Sequence, residues 1–325
     1  MDVAAFCRQS HVLVVAGKGG VGKTTITAAL ARTAAGAGLS VLVLELEGKP
    51  GVPAAYGLPG ALGYEEAELA EGASDDGGVR ARRITPDDAL LEYLADHGMR
   101  RVSKRLVSSG ALDVVSTAIP GIRDILVLGK VKSLEREQAA DLILVDAPAT
   151  GHAMTFLTSA QGLLDAARSG PVRTQAADVV ELLTDPERCQ VALVTLPEEM
   201  PVNEVVEAAY QLEDRVGISL GPVVANACLP DEPALAVDPV EAAERAGVHL
   251  AGVEVDALRA AATFRAHRRE LQEEQLSRLA MELPLPQLRA PFLFSPSIGP
   301  EEIDVLAASL AEGIAALPAP AEAPA

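Results

Sequence analysis

The stretch AGKGGVGKTT, residues 16–25, decides the fold of this chain. Residues 17–24 match the pattern G-x-x-x-x-G-K-[ST] between an apolar run and a helical pattern, which is the context that a phosphate-binding loop requires. Gly19, Gly20 and Gly22 allow the backbone to turn its N–H groups toward phosphate oxygens. The N-terminus of the following helix adds a partial positive charge. We therefore predict a strand, a nucleotide-binding loop and a helix in this order.

The side chains of the loop predict how ATP or ADP is held. Lys23 places a cation on the outer phosphates, and the Thr24 hydroxyl can ligate Mg²⁺. Thr25 is placed to bond an inner phosphate, and Val21 completes the predicted phosphate-binding segment. Lys18 has no such task within its own loop. A lysine on the outer edge of the loop can reach a nucleotide on a facing subunit, where it neutralises charge as the γ-phosphate departs.

Short apolar runs alternate with helical patterns along the rest of the chain. This alternation predicts a doubly wound, mostly parallel α/β sheet flanked by helices. The apolar runs predict buried parallel strands over residues 11–16, 41–46, 141–146, 190–196 and 221–226, with a weaker candidate at 281–286. The helical patterns cover residues 23–37, 86–108, 152–168, 203–215, 255–280 and 301–317.

The chain is predicted to form one P-loop ATPase domain over residues 1–317. The helical stretch 86–136 is expected as a subdomain inserted between sheet strands. Residues 57–80, rich in glycine, alanine and acidic residues, predict a long surface loop. The tail 318–325, PAPAEAPA, is expected to be disordered.

Composition and charge exclude several classes of function. The net charge of −19 argues against binding to nucleic acid or to anionic membranes. The three cysteines are far apart and form no C-x-x-C pair, which fits a reducing cytosol and predicts neither disulfides nor a zinc site. We expect no signal peptide and no membrane-spanning segment, hence a cytoplasmic protein.

The two-lysine loop K-G-G-V-G-K-T resembles the deviant phosphate loop of dimeric P-loop ATPases that include MinD, ParA, the nitrogenase iron protein and ArsA. The resemblance implies that Lys18 acts across a dimer interface. A second motif narrows the family. DAPATGH, residues 146–152, resembles the D-T-A-P-T-G-H switch of ArsA and of the ATPase that delivers tail-anchored membrane proteins. By this resemblance Asp146 holds Mg²⁺ through water, and His152 is a switch residue rather than a general base.

Two further stretches resemble the nucleotide-base site of the ArsA-type family. VVANACLP, residues 223–230, resembles the strand end whose asparagine reads adenine, so Asn226 is the candidate for base recognition. Its amide offers both a donor and an acceptor to the base edge. MELPLP is similar to the proline-rich segment on the other side of the base, with Leu285 and Pro286 as candidate contacts.

The chain departs from the family at the first switch. The family has D-P-A-H-[SN] after the second strand, where the aspartate is thought to orient the attacking water. Here the stretch is ELEGKPGVPAAYG, residues 45–57, and Glu47 stands in the place of the aspartate. The additional methylene adds about 1.5 Å of reach, and misplacement of that order can cost about 10²-fold in rate. Glu45 is a weaker candidate on the same face of the strand.

The resemblance implies a cytosolic ATPase whose ATP-bound dimer moves a protein or membrane-protein client. One phosphate loop is present, so the second subunit must be an identical or a paralogous chain. Client-binding methionines are few, with Met99 and Met154 in plausible segments. A nucleotide-gated scaffold with little hydrolysis is the alternative. A positioning ATPase like MinD or ParA is a third, although the acidic, proline-broken chain end suits neither DNA nor membrane binding.

Overall fold

The computed structural model describes residues 1–46, 51–74, 77–96, 121–148 and 150–318, and an eight-stranded sheet runs through it. The strand order is β3-β4-β2-β5-β1-β6-β7-β8, and all neighbours are parallel except the antiparallel pair β3–β4. The strands are β1 Val12–Gly17, β2 Ser40–Leu46, β3 Ala67–Glu71, β4 Gly78–Ile84, β5 Leu142–Asp146, β6 Cys189–Thr195, β7 Leu220–Cys228 and β8 Gln287–Pro291. The predicted doubly wound, mostly parallel α/β fold is confirmed.

The helices among the described residues connect these strands. In chain order they are α1 Val3–Cys7, α2 Lys23–Gly36, α3 Val52–Ala55, α4 Pro86–Asp96, α5 Ile122–Arg136, α6 Thr150–Ala166, α7 Pro171–Thr184, α8 Glu199–Val216, α9 Pro239–Ala246, α10 Gly252–Glu282 and α11 Pro300–Ala316. A short 3₁₀ helix, Pro233–Ala236, precedes α9. None of the helices in the described part of the chain is long and apolar enough to cross a membrane.

Two hydrophobic cores lie on opposite faces of the sheet. Side chains alternate along each strand, so Val14 of β1 points into one core and Val15 into the other. The first core contains apolar side chains of α5, α6, α7 and α8, and the second contains those of α1, α2 and α11. The central strands are therefore apolar on both faces, which is why they appear in the sequence as unbroken runs.

Helix α10 differs from the others because most of it is exposed. It has 31 residues, of which Val255, Gln272, Leu276 and Leu279 are buried. Three of these four lie in its last third. The first 20 residues therefore extend along the surface and are held by a few polar contacts, such as the ion pair of Arg259 with Asp238 at 2.7 Å.

The long surface loop predicted over residues 57–80 is wrong, because this stretch contains β3 and the beginning of β4. Both strands were missed because they carry charged side chains; β3 is the edge strand of the sheet and β4 lies next to it. Arg80 of β4 pairs with Glu66 at 2.5 Å, and the guanidinium of Arg82 lies 4.3 Å from the ring centroid of Tyr64. The alternation of arginine with small residues in GVRARRI hides the strand from a hydrophobicity pattern.

The weak strand candidate at 281–286 is also wrong. Helix α10 runs through Glu282, because Leu276 and Leu279 continue its buried stripe, and β8 begins at Gln287. Helix α7 was not predicted at all. The single-domain assignment and the helical subdomain stay predictions. Residues 97–120, between α4 and α5, lie outside the described residues. Residues 319–325 of the tail also lie outside them.

The central strands predict where the fold is most sensitive to truncation. Leu144 of β5 is fully buried. We expect Leu144→Ala to lower the free energy of unfolding by about 2–5 kcal/mol, because it leaves a cavity in the core. Leu258→Ala on the exposed part of α10 should change it by no more than about 0.5 kcal/mol. Urea unfolding followed by circular dichroism measures both, and equal losses would contradict this description of the core.

Candidate nucleotide-binding site

The phosphate loop lies at the carboxyl end of β1, where the strand order reverses. Strand β1 lies between β5 and β6, with β2 beyond β5 and β7 beyond β6. In open α/β sheets ligands bind in the crevice formed at such a switch point. Gly17 ends β1 and Lys23 begins α2, so the residues between them form the turn above this crevice. The loop thus has the position that the sequence predicts for it.

Gly22 and Asn226 meet at the end of the loop. Gly22 caps α2 with φ of 88°, in the left-handed region that favours glycine. A Cβ atom on Gly22 would lie 2.3 Å from Nδ2 of Asn226. The same nitrogen donates a hydrogen bond of 2.9 Å to the carbonyl oxygen of Val21. The structure therefore brings the candidate base-reading residue of β7 into contact with the loop.

Lys23 and Thr24 open α2, and each contacts a neighbouring segment. The Lys23 side chain is buried, and its Nζ donates to the carbonyl oxygen of Lys18 at 2.9 Å. The Thr24 hydroxyl donates to Oδ2 of Asp146 at 2.6 Å. A hydroxyl and a carboxylate are the hard oxygen donors that Mg²⁺ prefers, so the residues present fit this ion. Thr25 follows on the first turn of α2 and is partly buried.

Lys18 points away from its own loop. Its Nζ forms an ion pair with Oε1 of Glu204 at 2.5 Å, and the two side chains are 42% and 33% exposed. Glu204 lies on α8, which follows β6, the parallel neighbour of β1. Glu204 is the last residue of the stretch VTLPEEMPVNE, residues 194–204. Its pairing with Lys18 was missed because the sequence does not show which acidic residue of a helix faces the loop.

Glu45 is the buried acidic residue at the end of β2. Its Oε1 accepts hydrogen bonds from the backbone N–H groups of Gly51 at 2.8 Å and Val52 at 3.3 Å. A Cβ atom on Gly51 would lie 2.7 Å from Cγ2 of Thr24, so this backbone passes directly beside the start of α2. Glu47, the predicted counterpart of the switch aspartate, lies outside the described residues.

The structure does not bring Leu285 and Pro286 to the site. They precede β8, and the carbonyl oxygen of Pro286 accepts from the N–H of Val223 near the beginning of β7. That is the edge of the sheet opposite to the loop. The prediction placed this strand at 281–286, about six residues before the observed β8. Leu285 and Pro286 were therefore expected at the carboxyl end of a strand but lie before its amino end.

A hollow of about 430 Å³ lies instead beyond the carboxyl ends of β6, β7 and β8. The Arg265 guanidinium lies 4.9 Å from the ring centroid of Phe294, and Phe292 meets Phe294 edge to face at 4.8 Å. Gln272 of α10 closes one side, since it accepts from Leu229 N–H at 2.8 Å and donates to the Ala227 carbonyl at 3.2 Å. Among the residues that line the hollow are Leu196, Leu229, Phe264, Arg265, Phe292 and Phe294.

The three cysteines have no ionised thiol at neutral pH. Burial raises the pKa of Cys7 and Cys189 to about 12 and that of Cys228 to about 11. Thiolates, not thiols, ligate soft metals and metalloids. The remaining candidates are His152, Met99 and Met154. The side chain of His152 and the whole of Met99 are outside the part of the chain that the structure describes. Met154 is partly buried and packs against the core that contains α5 and α6.

Comparison with known proteins gives one family. The family model described as anion-transporting ATPase matches residues 10–166 and 170–246. The chain is similar to ATPase BagA of Mycobacterium tuberculosis, with 38% identity over 266 residues that cover 74% of each chain. It is 29% identical to the arsenical pump-driving ATPase of Escherichia coli, over 65% of this chain and 34% of that protein. It is 30% identical to ATPase get3 of Schizosaccharomyces japonicus, over 45% and 42% of the two chains.

The contact between Gly22 and Asn226 yields a prediction with a matched control. Gly22→Ala should lower the free energy of unfolding by about 1–2 kcal/mol or more, because alanine is strained at this φ and its Cβ displaces Asn226. It should also weaken ADP binding. Gly162→Ala in helix α6, where a Cβ meets no atom within 4 Å, should raise the free energy of unfolding by about 0.5–1 kcal/mol. Urea unfolding and calorimetric ADP titration measure these effects; ADP binding equal to wild type in Gly22→Ala would count against the site.

Proposed function

Because the chain belongs to the anion-transporting ATPase family, we propose that this ATPase is magnesium-dependent and works as a nucleotide-gated dimer. The observation that carries the proposal is that the two lysines of one loop point to different places. Lys23 is buried at the start of α2, while the ammonium group of Lys18 lies outside the loop on α8. Only Lys23 is therefore placed to serve the nucleotide of its own subunit.

Nucleotide binding follows from the position of the loop. The N–H groups of the loop and of the start of α2 would surround phosphate oxygens at the switch point, and Lys23 would add a positive charge beside the outer phosphates. Thr24 and Asp146 would hold Mg²⁺, which neutralises phosphate charge when bound. Asp146 also begins the segment 146–152, so a change at the metal site can move that segment when the γ-phosphate leaves.

Lys18 supplies the argument for a dimer. Its side chain is partly exposed at the carboxyl edge of the sheet, the edge at which the nucleotide is proposed to bind. If two such edges face one another, each Lys18 can leave Glu204 and approach the triphosphate of the facing subunit, as an arginine finger does. The second subunit is an identical or a paralogous chain, and native mass spectrometry of protein from its own host distinguishes the two.

The hollow beyond β6, β7 and β8 is proposed as the site of the nucleotide base. It lies at the same edge of the sheet as Asn226, and its exposed phenylalanine rings suit a flat aromatic group. Phe292 and Phe294 then replace Leu285 and Pro286 as the candidate contacts. Glu47 stays the proposed water-orienting residue, and steady-state phosphate release separates an active ATPase from the scaffold alternative.

Lysine variants test the proposal directly. Lys18→Ala should leave the ATP affinity within about twofold and reduce turnover by about 10³-fold or more, because fingers of this kind act on the transition state. Lys23→Ala should weaken ATP binding about 10- to 100-fold, since it removes a charged hydrogen bond to phosphate. Calorimetry and phosphate release measure the two effects. Unchanged turnover in Lys18→Ala would refute the role across the interface.

Glu204 yields a second test of the same idea. An exposed ion pair contributes a factor of about two to five to an equilibrium. Glu204→Gln frees Lys18, so it should strengthen ATP-dependent association of the subunits by about that factor per subunit. Glu207→Gln is the matched control, because Glu207 lies on the same helix, is exposed and bonds Gln211. Sedimentation velocity with a non-hydrolysable ATP analogue measures association, and equal effects of both variants would show that Glu204 does not restrain Lys18.

A further inference from the structure

Glu45 has a buried carboxylate oxygen that no described residue satisfies with a hydrogen bond. The residue is 1% exposed. Oε1 accepts the two backbone hydrogen bonds from Gly51 and Val52, whereas Oε2 accepts none from the residues that the structure describes. A buried charge is costly unless it is paired or coordinates a metal ion. Two backbone amides on one oxygen do not neutralise this charge.

The position of Glu45 in the sheet shows what lies beside it. Glu45 of β2 and Asp146 of β5 are directly paired in register. Both continue the series of side chains that face α2, since Val43 precedes one and Leu144 the other in the second core. Thr24, at the start of α2, bonds Asp146, and the backbone of Gly51 passes beside Thr24. Two carboxylates are therefore neighbours on the side of the sheet that faces the start of α2.

Among the described residues, no cation bonds Oε2 of Glu45. Arg83 of β4 is opposite Glu45 in register, but no ion pair joins the two side chains. A divalent cation at Thr24 and Asp146 would supply the missing charge, because Mg²⁺ retains several water ligands and is commonly bound through one or two carboxylates.

We propose that Glu45 is the second carboxylate of the magnesium site, where Oε2 accepts a hydrogen bond from a water ligand of the ion. This inference rests on the proposed function, since it needs the metal site at Thr24 and Asp146. Its other oxygen holds the N–H groups of Gly51 and Val52, which follow the first switch. Glu45 is thus a positioning residue that connects the metal with Gly51 and Val52. Loss of the metal would therefore weaken the hold of Glu45 on these two backbone amides.

The test measures metal affinity rather than activity. Glu45→Gln keeps the shape and an oxygen for the Gly51 and Val52 amides but removes the charge. With saturating ADP, its affinity for Mn²⁺, measured by electron paramagnetic resonance, should fall about 10-fold, as for other outer-shell partners. Its affinity for ADP in EDTA should stay within about twofold of wild type. The matched control is Glu135→Gln: Glu135 is buried, but both its oxygens bond Arg188, and Mn²⁺ affinity should not change.

Asp146→Asn separates the possible failures. If Asp146→Asn weakens Mn²⁺ binding and Glu45→Gln does not, Glu45 only holds the switch backbone and the inference is overturned. If neither variant weakens it, the metal site of the proposed function is wrong as well. A measurement on unaltered protein guards against misfolded variants: Fe²⁺–ADP with ascorbate should cleave the backbone near residues 45 and 146, and cleavage near 146 without 45 would also overturn the inference.

Discussion

The hydrogen bond from Thr24 to Asp146 is the contact on which the site depends. It joins the first turn of α2 to the last residue of β5 across the end of β1, at 2.6 Å. Each partner belongs to a different crossover of the sheet, so the contact forms only when the doubly wound topology is complete. The two proposed metal ligands meet in this contact, where α2 begins and β5 ends. A nucleotide that alters this contact therefore acts on both sides of the central strand.

Charge at the carboxyl edge is arranged in two pairs, one of opposite charges and one of like charges. Lys18 is held by Glu204, while Glu45 and Asp146 stand side by side in a buried place. The first pair is partly exposed and easily exchanged. The second concentrates like charge where it is expensive, and a cation relieves it. The two pairs suit the different tasks proposed for them: the first would open as subunits meet, and the second would attract the metal ion that accompanies the nucleotide.

The sequence predicts the parts of this protein whose physics is local. The apolar runs of the central strands need no partner to be recognised, and the glycines of the loop encode its turn. Strands β3 and β4 were not predicted because both carry charged side chains; Arg80 and Arg82 of β4 are stabilised by Glu66 and Tyr64, which only the folded chain brings near. The last strand was predicted about six residues too early because the end of α10 and the beginning of β8 differ by tertiary packing rather than composition.

Residues around the loop were predictable by type but not by partner. Lys23, Thr24 and Asp146 follow from motif spacing, since the loop and the strand ends meet at one edge of any such sheet. Glu204 and the second oxygen of Glu45 do not, because an acidic residue in a sequence does not reveal which group it faces. These are the contacts that distinguish this chain from a generic triphosphate site.

Helix α10 extends far from the carboxyl edge of the sheet. At 1.5 Å per residue its 31 residues span about 46 Å. Its buried end touches the hollow through Gln272, and Arg278 bonds Asn203, the neighbour of Glu204. A tilt of about 10° at that end would carry the other, 20 residues away, through about 5 Å. A small tilt beside the hollow thus becomes a displacement of several ångströms at the exposed end of the helix.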